Sequence, residues 1–92
     1  MNAPAPATGT RARLAVLIHE AMDGQIGTAE LLTSRATLTE AGVTSLGLLR
    51  LADALEEEFG VEVDLGDPSF YRETVDTLAA RVDAADAGAP RE

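Results

Sequence analysis

Two hydroxyl residues, Thr44 and Ser45, stand side by side where an apolar helical repeat begins. A hydroxyl at a helix start has two uses. It can accept from an open backbone N–H of the first turn and cap the helix. It can also be displayed for attachment of another group, and the electropositive helix N-terminus would tolerate a phosphodiester there. Three residues on from the pair lie Gly47 and Leu48, so no reciprocal capping box supports the first use. On the residues alone, capping remains the ordinary role for either hydroxyl. Leu46 and Leu49 add a second feature. They fall off the apolar arc of the same helix, and two exposed leucines at one helix end form a small contact site for a partner. The bland alternative is that the preceding loop folds over and buries them.

Other chemistry finds little material. His19 is the only histidine, and no cysteine, serine or second histidine forms a constellation with it. It reads as an ordinary helix residue. Glu56, Glu57 and Glu58 are consecutive on a helix, so their side chains fan around it instead of converging on a metal. The run Asp64 to Asp67 lacks the alternating oxygen ligands and the closing Glu of a calcium loop. Nothing resembles a phosphate-cradling glycine loop or a nucleophile–base pair. The expectation is a protein that is not itself an enzyme and holds no metal.

The elements that must position Thr44 and Ser45 read as helices. Apolar residues recur at helical spacing, and no stretch combines β-branched enrichment with alternation. A first helix is expected from about Thr10, as N-cap, to Asp23, with Gly24 stopping it and Leu14, Leu17, Ile18, Ala21 and Met22 as its buried stripe. Residues 24–44 read as a packed connection pinned by Ile26, Leu31, Leu32 and Leu38, with a helical turn at 28–33. A second helix runs from Ser45 through Phe59 and ends at Gly60. Leu48, Leu51, Ala52, Leu55 and Phe59 make its core face. Residues 61–65 read as an extended linker. A short third helix over 68–72 is capped by Asp67, and a fourth starts near Thr74 with Val75, Leu78, Ala79 and Val82 inward. The expected fold is all-α: a four-helix bundle with a long connection between its first two helices and a short third helix. Its domain spans 10–83, with mobile tails at 1–9 and 84–92.

Charge narrows the partners. Sixteen acidic residues face seven basic ones, all Arg, for a net charge of −9. Such a surface repels nucleic acid and anionic lipid and steers the domain toward basic patches. The N-terminus lacks a basic start and an apolar stretch of signal length. No apolar run approaches membrane-spanning length. A cytoplasmic, monomeric protein is expected.

The segment Leu38-Thr39-Glu40-Ala41-Gly42-Val43-Thr44-Ser45-Leu46, followed by Leu51 to Gly60 with its Leu-Glu-Glu-Glu-Phe ending, resembles the acyl carrier protein and peptidyl carrier protein family. The resemblance covers about residues 10–83 and is strongest over 38–60. It implies that Ser45 carries 4′-phosphopantetheine, transferred from coenzyme A by a phosphopantetheinyl transferase that uses Mg²⁺. It also implies that acyl or aminoacyl cargo rides on the terminal thiol as a thioester, supplied by a loading enzyme and handed to synthase or tailoring enzymes. The second helix would be the recognition element, with Thr44, Leu46, Leu49, Arg50, Asp53, Glu56 and Glu57 facing partners. Thr44 stands where the family usually has Asp, and Gly47 and Arg50 replace positions that are often acidic. These departures point to a specialised partner set, of the kind found in polyketide or nonribosomal peptide biosynthesis. The short chain reads as a discrete carrier acting in trans, though its Ala/Pro-rich ends equally suit linkers of a larger synthase. The competing reading is an unmodified docking or regulatory domain in which Ser45 is only a cap.

Overall fold

Among the described residues, which run from 6 to 88 in the computed structural model, every regular element is helical. Helix α1 spans Pro6–Ala21, α2 Thr28–Thr33, α3 Ser45–Phe59 and α4 Val75–Gly88, with a 3-10 helix at Pro68–Arg72. Helix α1 packs against α2, α3 and α4 alike. Its buried stripe, Leu14, Ala15, Leu17, Ile18 and Ala21, is continued past the helix end by Met22. The all-α expectation holds.

The limits of α1 differ from those read in the sequence. The helix opens at Pro6, which has no amide proton to leave unpaired in a first turn. Thr10 is therefore not its cap. The Thr10 hydroxyl donates instead to Asp83 Oδ1 of α4 at 2.9 Å. At the other end the helix stops at Ala21, because Asp23 and Gly24 both take left-handed backbone, with φ of 56° and 79°. Their amides turn back to the carbonyls of Glu20 and His19 at 3.0 and 2.8 Å, which closes the helix. The His19 Nδ1 lies 2.7 Å from the Ile26 carbonyl oxygen, so this histidine fastens the turn. Residues 6–9 and 84–88, read in the sequence as tails, are helical. The run at the C-terminal end is rich in alanine, the strongest helix former. Residues 1–5 and 89–92 lie outside the described residues.

The connection from α1 to α3 is packed, not loose. It contains α2 where a helical turn was expected, and it is then tied down at both levels of structure. Thr37 and Glu40 form a reciprocal pair: the Thr37 amide donates to Glu40 Oε1 at 3.0 Å, and the Glu40 amide to Thr37 Oγ1 at 3.1 Å. That is a capping box spent on a single turn. The Leu38 amide donates to the Glu73 carbonyl at 2.8 Å and Val43 to Leu38 at 2.9 Å. The Thr39 hydroxyl reaches the Tyr71 carbonyl at 3.0 Å. With Leu38 and Val43 buried as well, the chain leading to Ser45 has its path fixed.

Residues 61–64 form no regular element and 65–66 make a turn closed by the Asp67 amide on the Asp64 carbonyl at 3.0 Å, while the Asp67 cap is as expected. The Asp67 carboxylate accepts from the Ser69 amide at 3.0 Å, and that bond holds its carboxyl below the usual range. The short helix it caps is 3-10 instead of α, a tighter winding common in brief connectors. It places Phe70 in the core, 1 % exposed and the largest of the fully buried side chains. Phe59, expected on the buried face of α3, is only partly buried. As the last residue of α3 it lines a surface cleft with Thr10 and Val82. Helix α4 opens on another reciprocal pair, Thr74 and Thr77, whose amides donate to each other's hydroxyls at 2.7 and 3.1 Å.

Phe70→Ala is expected to lose about 3–5 kcal/mol, the range for emptying a buried aromatic site, and Phe59→Ala distinctly less. Urea unfolding of the two variants checks the order.

Candidate functional site

The two hydroxyls at the start of α3 have divided their roles. Thr44 is the cap, in extended backbone, and its Oγ1 accepts from the Gly47 amide at 3.1 Å. The Leu48 amide donates to the Thr44 carbonyl at 2.8 Å, the first bond of the helix proper. Ser45 is the first helical residue and is exposed. Among the described residues its hydroxyl makes no hydrogen bond. The amides of Ser45 and Leu46 are likewise left without an intrahelical partner, as the geometry of a first turn requires. Ser45 thus offers an unengaged oxygen beside two open N–H groups at the positive end of a helix dipole.

The face of α3 around it carries the other residues singled out in the sequence. Leu46 is 55 % and Leu49 45 % exposed, so the connection does not fold over them. By helical period Leu46, Leu49, Arg50, Asp53, Glu56 and Glu57 share one arc, opposite Leu48, Leu51 and Leu55. All six are exposed. Glu58 belongs elsewhere: it accepts two bonds from Arg13 of α1, at 2.8 and 3.0 Å, and the guanidinium holds its carboxyl below the usual range. Arg50 is not free within this face. Its Nη1 lies 3.2 Å from both Asp23 carboxylate oxygens and 3.5 Å from the Ala21 carbonyl.

Between the end of α1 and the first turns of α3 runs an open cleft of about 210 Å³, lined by Met22, Asp23, Thr44, Leu46, Gly47 and Arg50 among others. Sequence reading took Gly47 only as a missing acid. In the structure it is buried, facing Met22 in the turn after α1 and Val43. Its signal was a glycine in the first turn of an otherwise strong helix, where its low propensity asks for a packing reason. Tyr71 is 40 % exposed on the 3-10 helix, away from this cleft's lining. Among the described residues no three His, Cys, Asp or Glu side chains gather as a metal site, and no helix is long and apolar enough to cross a membrane.

Thr44→Val is expected to lose about 1 kcal/mol with the cap, while Ser45→Ala stays within about 0.5 kcal/mol of wild type. Urea titration of both proteins reads the difference; the reverse order would mean that Ser45 is the capping residue.

No curated protein and no solved structure matches the chain. Residues 12–82, most of the chain, match the family model described as a phosphopantetheine attachment site. Carrier domains of this family are in general non-catalytic and work with a phosphopantetheinyl transferase and with partner enzymes. The free hydroxyl at a helix start, the all-helical fold and this match converge: the protein belongs to the phosphopantetheine attachment family and is a carrier domain that takes 4′-phosphopantetheine covalently.

Proposed function

We propose that Ser45 is the attachment residue, and that the protein carries acyl or aminoacyl intermediates for a cytoplasmic polyketide or nonribosomal peptide type pathway. One observation carries the assignment: Thr44 supplies the cap, so Ser45 keeps an exposed hydroxyl that no other group among the described residues uses. The surroundings suit the group. A phosphodiester on the Ser45 oxygen lies beside the open Ser45 and Leu46 amides, and no carboxylate occupies the first turn of α3. Bound, the arm supplies a terminal thiol that holds cargo as a thioester.

Loading is a phosphoryl-type transfer in which this chain contributes the nucleophile. The Ser45 oxygen bonds to the pantetheine-bearing phosphorus of coenzyme A, the pyrophosphate link breaks, and adenosine 3′,5′-bisphosphate leaves. The hydroxyl proton passes to a base of the transferase. The chain's part is to hold its oxygen at a fixed, exposed point, since misplacement by about 1 Å in such reactions can slow them some hundredfold.

Partner choice rests on the exposed face of α3. Leu46 and Leu49 offer apolar contact next to the attachment point, and Asp53, Glu56 and Glu57 offer negative charge farther along. Arg50, held on Asp23, stands between the leucines and the acids. Such a face fits an enzyme surface with an apolar recess and a basic rim.

Intact mass after incubation with coenzyme A, Mg²⁺ and a promiscuous phosphopantetheinyl transferase is expected to rise by one phosphopantetheine. Ser45→Ala is expected to gain nothing while staying folded; an addition to that variant refutes the assignment. Changing Glu56 and Glu57 to Lys is expected to slow modification more at low salt than at high salt. Equal rates across the salt series would remove acidic steering from the account.

A further inference from the structure

Behind Ser45, on the buried side of the backbone that displays it, three side chains meet in a way that packing economy does not require. Gly47 sits in the first turn of α3, where alanine would make a more stable helix. A Cβ at that position, however, would fall well inside contact distance of Met22 Sδ, 3.1 Å from Val43 Cγ1 and 3.5 Å from Thr44 Oγ1. Met22 is itself buried. Its sulfur accepts from the Thr44 hydroxyl at 3.9 Å, the same hydroxyl that receives the Gly47 amide. One chain of contacts therefore joins the thioether, the capping oxygen and the helix start.

The residue that carries the thioether sits in a hydrogen-bonded turn. The Met22 amide is bonded to the Ile18 carbonyl at 3.0 Å, and the two left-handed residues after it are tied to Glu20 and His19. Arg50, one turn along α3, reaches the same corner through Asp23 and the Ala21 carbonyl. The end of α1 thus holds the first two turns of α3 at two points, one apolar and one charged.

From this geometry we infer that Met22 is a positioning residue for Ser45. Its thioether is the stop on which the first turn of α3 rests, and Gly47 is the recess cut to receive it. The sizes of the side chains at 22 and 47 then jointly set where the Ser45 oxygen stands. This rests on Ser45 being the attachment residue.

The test uses the full chain with Gly47→Ala, Met22→Ala and the double variant, each checked for folding by circular dichroism. Gly47→Ala is expected to melt below wild type, to be modified at least about tenfold more slowly under subsaturating carrier, and to move the Ser45 and Leu46 amide resonances. The double variant, with space returned at 22, is expected to recover most of the rate and of the amide positions. Rescue is the signature, because a loss of general stability would deepen in the double variant. A Gly47→Ala protein that melts higher and is modified at the wild-type rate overturns the inference, as does a double variant no better than Gly47→Ala. If Gly47→Ala does not fold, Met22→Ala against Met22→Leu decides: equal rates and equal amide positions overturn it. A wild-type chain that gains no mass at Ser45 defeats the site assignment instead, and the amide positions alone then decide whether Met22 sets the helix start.

Discussion

A helix that displays a reactive hydroxyl in its first turn also needs a cap for one of the amides that the turn leaves open. One residue cannot serve both needs, because a serine oxygen that accepts from the backbone is held inward and loses its freedom to react. Here the conflict is resolved by adjacency. The Gly47 amide goes to the Thr44 hydroxyl, and Ser45, one residue on, is left exposed. The structure depends on that bond in two directions. It ends the packed connection at a fixed residue, and it starts α3 at a defined angle to α1.

The rest of the molecule holds this junction still. A domain of 92 residues has little core to spend, and it places much of that core around α1. The connection before Ser45 is tied to the 3-10 helix through Leu38–Glu73 and Thr39–Tyr71, while Phe70 of that helix fills the interior. Surface ion pairs such as Arg13–Glu58 and Arg11–Asp76 join α1 to α3 and α4, each worth little when exposed. They do use up basic groups. With Arg11, Arg13, Arg50 and Arg81 engaged in pairs, the acids on the outer face of α3 remain available to a partner.

Much of this was legible in the sequence where one residue type has one strong local consequence. Gly60 ends α3 in left-handed backbone, Asp67 caps the helix that Pro68 begins, and the apolar period assigns Leu48, Leu51 and Leu55 to the core. The motif around Ser45 pointed to the family that the match over 12–82 then established. What escaped was decided by contacts between distant segments. Thr10 looks like a cap until Asp83 of α4 is beside it. Phe59 lies on the right arc but at the rim of the bundle, and Phe70, in a helix too short for periodicity, takes the centre. Gly47 looked like a lost acid, since only the arrival of Met22 shows why no side chain fits. The Thr37–Glu40 box could have been found, as its four-residue pattern stands in the sequence.

The central claim is that Ser45, and not its capping neighbour, is the acceptor. Trypsin releases both hydroxyls in one peptide, Ala36 to Arg50, together with Thr37 and Thr39. Fragmentation of that peptide from the modified protein measures which oxygen carries the added phosphopantetheine. The account predicts that fragments divided between Thr44 and Ser45 place the whole added mass on Ser45. An adduct on Thr44, or on either earlier threonine, would contradict it and reverse the roles assigned to the two hydroxyls.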